Sequence, residues 1–125
     1  MGEVVFTDRE LDIMGVLWEH GPSTVADVRE RIRDDLAYTT VLTLLRTLEE
    51  KGHVRHEAEG RAYRYHARVE RGEARVSAVD RITRKLFSGS TETLLTHLVS
   101  DQALSDDQLQ RIRDLLDARL GGDEE

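Results

Sequence analysis

Thr39, Thr40, Thr43 and Arg46 are the residues whose types and spacing could do chemistry on an outside partner. They lie in YTTVLTLLRTLEEKGH, running from Tyr38 to His53. Val41, Leu44, Leu45 and Leu48 fall at i, i+3, i+4 and i+7, which predicts a helix with one apolar stripe. The opposite face carries Thr39, Thr43 and Arg46, all able to hydrogen-bond. Short hydroxyl side chains let a helix enter a major groove about 12 Å wide, and Thr can meet bases, thymine methyls or phosphates there. Arg46, one turn beyond Thr43, can reach a phosphate or a guanine. Thr is a mediocre helix former, so this density of threonine exceeds what stability favours. A second group of cations follows: Arg61 beside the Glu59-Gly60 turn and Arg64 just after it, both suited to phosphate.

Other chemistries fit less well. Five histidines raise the question of a metal. His53 and His56 are three apart, which on a strand points them to opposite faces. The chain has no cysteine and no HExxH, and no acidic triplet accompanies the histidines, so neither a metal nor a cofactor is expected. A glycine-rich phosphate loop, a nucleophile elbow and paired carboxylates in an apolar pocket pattern are all missing. Catalytic residues are therefore not expected, and no small-molecule substrate is evident.

The elements that must position these residues are legible as patterns. Thr7 to Glu10 reads TDRE, a capping box, and Leu11, Met14, Leu17 and Trp18 follow as an apolar stripe. Gly21 and Pro22 end that helix. Ser23 or Thr24 caps a second helix with Val25, Val28 and Ile32 inward, and Asp34 to Ala37 is the turn before the third. Gly52 suits the left-handed conformation that follows a helix end. Val54, His56 and Ala58, then Tyr63, Tyr65 and Ala67, alternate with their neighbours around Glu59-Gly60 and predict a hairpin. One hairpin alone is marginal, so it must lean on the helices, with Tyr63 and Tyr65 as the packing residues.

From Val69 the pattern is helical again. A long charged helix carries Ile82 and Leu86, a short one Leu94, Leu95, Leu98 and Val99, and a third, opened by the SDDQ box at Ser105, carries Leu109, Ile112, Leu115, Leu116 and Leu120. These stripes are too few for an ample core, and a second copy of the chain is the simplest cover for them. Ile82, Leu86, Leu94, Leu98, Leu109, Ile112 and Leu116 are the expected dimer contacts. The expected architecture is mainly α: a winged helix-turn-helix over residues 1–68, a helical dimerisation domain over 69–120, and a disordered acidic tail over 121–125.

The net charge of −7 counts against a nucleic-acid partner. It is unevenly spread. Between Lys51 and Arg68 five basic residues face two acidic ones. DNA binding must rest on that local patch and should be salt-dependent. A winged helix used only for protein interaction is the alternative that net acidity favours. No signal-peptide pattern and no membrane-length apolar run occur, so a cytoplasmic protein is expected.

The runs TDRELDIMGVLWEHGPSTVADV, LAYTTVLTLLRTLEEKGHV and GRAYRYHA resemble the penicillinase-repressor (BlaI/MecI/CopY-type) family of winged-helix transcriptional regulators. The resemblance covers residues 5 to 120 and is strongest over the first 68. It implies a homodimeric repressor on a palindromic double-stranded DNA operator. Thr40, Thr43 and Arg46 match recognition-helix positions that face DNA, and Arg61 matches the wing tip. β-Lactam-responsive members are inactivated by proteolysis in the dimerisation domain, triggered by a membrane sensor-protease. The matching segment here is LLTHLV and the matching bond His97–Leu98, where better-known members carry Asn-Phe or a similar pair. The copper-responsive branch carries a C-terminal cysteine motif, which this chain lacks.

Overall fold

The computed structural model describes residues 4–100 and 103–122. Packing divides the chain into two units, Met1–Val79 and Asp80–Glu125.

The first unit begins with α1 (Asp8–His20), opened by a complete capping box between Thr7 and Glu10. Gly21 ends it at φ 82°, where a side chain would be strained. A two-residue strand, β1 (Ser23–Thr24), leads directly into α2 (Val25–Arg31). Thr24 caps α2 and Asp27 closes a second box, which settles the choice between Ser23 and Thr24. Then come α3 (Tyr38–Glu50), β2 (Val54–Glu59) and β3 (Ala62–Ala67). Gly60 takes φ 62° in the two-residue turn between these strands, and the register runs from Glu59↔Ala62 to Val54↔Ala67. β1 pairs with the other edge of β3, giving a three-stranded antiparallel sheet of order β1-β3-β2. A two-residue strand carries too little alternation to be read from sequence.

The core of this unit joins Ile13, Met14 and Leu17 of α1, Val25 and Val28 of α2, Val41, Leu45 and Leu48 of α3, and Val54 and Tyr65 of the sheet. α1 packs against α2, α3 and β3, so its buried face is wider than one stripe: Ile13 and Val16 are inside and Leu11 is exposed. Tyr65 is buried as expected. Tyr63 is half-exposed and stacks on His56, with ring centroids 4.3 Å apart. Trp18 is fixed by an indole N–H donated to the Val69 carbonyl at 2.8 Å.

α4 (Arg71–Leu86) crosses the unit boundary. The second unit continues with α5 (Thr91–Ser100) and α6 (Asp106–Gly121), the latter opened by the Ser105–Gln108 box. Neither α5 nor α6 holds a buried residue. Gly121 closes α6, and residues 123–125 of the expected acidic tail lie outside the described residues. The whole is a mainly α fold with a small sheet: three helices and a two-stranded wing, followed by further helices.

Candidate nucleic-acid interface

The helix that carries the threonines starts without help. Ala37 occupies its N-cap with no side-chain hydrogen bond, and no acid lies in its first turn. By contrast α1, α2 and α6 each have a full capping box. Thr39, at the start of α3, does no capping, so stability does not explain it. Thr39, Thr40, Thr43 and Arg46 are all exposed. Among the described residues the side chains of Thr39, Thr40, Thr43 and Arg46 have no hydrogen-bond or ion-pair partner. Thr47 differs: its hydroxyl donates to the Thr43 carbonyl at 3.0 Å, within the helix.

The far end of α3 is held by charge. Glu10, 1% exposed, accepts from the Thr7 N–H at 2.8 Å and from Lys51 Nζ at 2.9 Å. Burial alone would push this carboxyl up, but the Thr7 N–H and Lys51 together hold it below the usual carboxylate range. One buried acid thus joins the start of α1 to the end of α3. Beside it His53 is buried against Phe6, ring centroids 4.9 Å apart, and burial with the nearby Lys51 charge lowers its pKa. Glu49 reaches from α3 to the wing, where its Oε2 lies 2.5 Å from His56 Nδ1. None of these long-range pairs had a local signal in the sequence.

The basic patch between Lys51 and Arg68 is largely neutralised in place. Lys51 is held by Glu10, Arg55 Nη1 donates to Glu57 at 2.7 Å, and Arg64 Nε donates to Glu59 at 2.5 Å. Arg61 sits exposed at the turn and Arg68 exposed just past β3, both without an ion pair among the described residues. The arrangement therefore brings together one uncommitted helix face, with Arg46, and one uncommitted wing cation, Arg61. Arg64 is committed to the fold. Among the described residues no group of three or more His, Asp or Glu could hold a metal, and no helix is long and apolar enough to cross a membrane.

A three-helix unit with an uncommitted third helix and a charged hairpin is a winged helix-turn-helix, the class of DNA-binding transcriptional regulators. The family model for the penicillinase repressor matches residues 6–118, so this chain belongs to the penicillinase repressor family. The chain is 39% identical over 97 residues to the transcriptional regulator BlaI of Mycobacterium tuberculosis, covering 74% of this chain and 70% of that protein. It is 21% identical over 112 residues to the methicillin resistance regulatory protein MecI of Staphylococcus aureus, covering 88% and 91%. Among solved structures, a MarR family protein from Bacillus stearothermophilus superposes with TM-score 0.49 at 20% identity, covering 96% of this chain and 76% of that one. The protein is a DNA-binding repressor of this family, and its named relatives are regulators.

Proposed function

We propose that the protein is a cytoplasmic homodimer that represses by occupying a palindromic operator. Two copies of α3 enter successive major grooves about 34 Å apart, as two-fold symmetry requires. Thr39, Thr40, Thr43 and Arg46 read base edges and phosphates, and Arg61 contacts the backbone from the wing. The observation that carries this reading is the free polar face of α3, four exposed hydrogen-bonding groups on a helix whose other side is docked in the core. The dimer contacts are Ile82, Leu86, Leu94, Leu98, Leu109, Ile112 and Leu116. Of these Ile82, Leu86, Leu98 and Leu116 are exposed and Leu94, Leu109 and Ile112 half-buried in the single chain, which supports a second copy as their cover.

Release follows loss of the dimer, because one half-site alone binds weakly. Cleavage at His97–Leu98 by a membrane sensor-protease would achieve it. That bond lies inside helical α5, so α5 must unwind before a protease can take it as an extended strand. α5 has no buried residue to resist such local opening.

A gel shift with the protein's own promoter DNA tests the reading. Arg46→Ala should weaken binding about 10- to 100-fold while the dimer persists. Equal affinity of variant and wild type removes Arg46 from the interface. No shift for the wild type at low or moderate salt replaces the reading with a protein-interaction module.

A further inference from the structure

Two arginines of the wing, three residues apart, are placed very differently. Arg61 stands at the turn, exposed and without an ion pair among the described residues. Arg64 sits in β3 at the register position where β1 also pairs, opposite Thr24 on one side and Glu57 on the other. Its side chain is about one-third exposed, and its partners among the described residues all belong to the fold. Nε donates to Glu59 Oε2 at 2.5 Å, at the last residue of β2 before the turn. Nη1 donates to the Pro22 carbonyl at 3.0 Å and lies 3.6 Å from Asp27 Oδ2. The same Asp27 oxygen accepts the Thr24 N–H at 3.2 Å and so closes the α2 capping box. One guanidinium therefore links the base of the wing tip to the turn before α2 and to the first turn of α2. Planar guanidinium with several fixed donors suits such a three-way contact, where a lysine would hold one partner at a time.

We propose that Arg64 is a positioning residue: it clasps the wing to the start of α2 through Glu59, Asp27 and the Pro22 carbonyl, and thereby holds Arg61 at phosphate reach without touching DNA itself. This rests on the operator-binding reading above only for its consequence, not for the clasp. The turn beyond the clasp is just Gly60 and Arg61, so the length of unsupported chain is minimal. Net charge is consistent with the division of roles. Arg64 faces Glu59 and Asp27 and offers no uncompensated positive charge, whereas Arg61 does.

Operator affinity across a salt series separates positioning from contact. Arg61→Ala should make the log–log slope shallower by about one for each wing. Arg64→Gln, by loosening Arg61, should lower affinity about fivefold and shallow the slope by no more than Arg61→Ala does, and should change neither further when Arg61 is already Ala. A further loss of affinity or of slope in the double variant, beyond Arg61→Ala alone, puts Arg64 on a phosphate and overturns the proposal. Amide hydrogen exchange of the free protein tests the clasp without DNA. Exchange at Arg61 and Ala62 should quicken about fivefold in Arg64→Gln, with the α1 amides unchanged. Unchanged exchange in the turn overturns the clasp even if the operator results agree. Failure of the wild type to bind, or of Arg61→Ala to change binding, instead overturns the operator reading, and the exchange experiment alone then decides the clasp.

Discussion

Leu45 and Leu86 are both leucines on amphipathic helices, yet Leu45 is 0% exposed and Leu86 is 75% exposed. The contrast runs through the two units. Among the described residues every buried hydrophobic side chain lies at or before Ala74, and the exposed large ones cluster from Val76 to Leu120. The first unit closes its own core around Tyr65, Ile13 and Leu48, whereas the helices of the second hold their leucines out. Burying an exposed leucine contributes roughly 1.5–3 kcal/mol, so an uncovered series of them is a strong drive toward association. On the proposed dimer, reading and pairing are separable: one unit is finished by folding, the other would be finished by meeting its copy.

The largest effect should come from breaking the pairing. Leu86→Asp with Leu98→Asp should yield a monomer in sedimentation and lower operator affinity by at least about a hundredfold, since linked half-sites lose their avidity. Trp18 fluorescence should stay native. A dimer that survives both charges would erase the contrast between the units. Next in size is Leu45→Ala, which empties a fully buried site and should destabilise the first unit by about 2–5 kcal/mol in urea. A smaller loss would mean that its core is looser than its burial indicates.

The smallest is a pH effect confined to the first unit. Burial, with the nearby Lys51 charge, lowers the His53 pKa in the fold and so disfavours its charged form. Below about pH 6.5 the unfolded chain binds a proton that the folded one refuses. Stability should therefore fall as pH drops through that range, and His53→Leu should flatten the fall in thermal unfolding. An identical pH profile for wild type and variant assigns the sensitivity to another group.

Most of the fold was legible because it is written in local pairs. The Thr7–Glu10 and Ser105–Gln108 boxes are three residues apart, and the α3 stripe and the hairpin alternation are periodic patterns. Leu11 misled because a helix packed on several neighbours buries a wide face whose edges periodicity alone does not locate. The candidate site was half legible. The threonines and Arg46 stand out by type and face, and Arg61 by its turn. Arg64 looked equivalent to Arg61 because its partners Asp27 and Pro22 are 37 and 42 residues away in the chain, beyond any local pattern. Lys51 and Glu10, 41 apart, were hidden for the same reason.

The missing cap at Ala37 leaves room to strengthen the start of α3. An uncapped helix start gives up about 1 kcal/mol that Asp, Ser or Thr there would restore. Among these, Asp is also favoured by the helix dipole, and it is the one that would set a fixed negative charge where a phosphate would approach in the proposed complex. Ser or Thr there should therefore stabilise α3 with no charge cost to the proposed DNA contact, whereas Asp should stabilise it and weaken that contact.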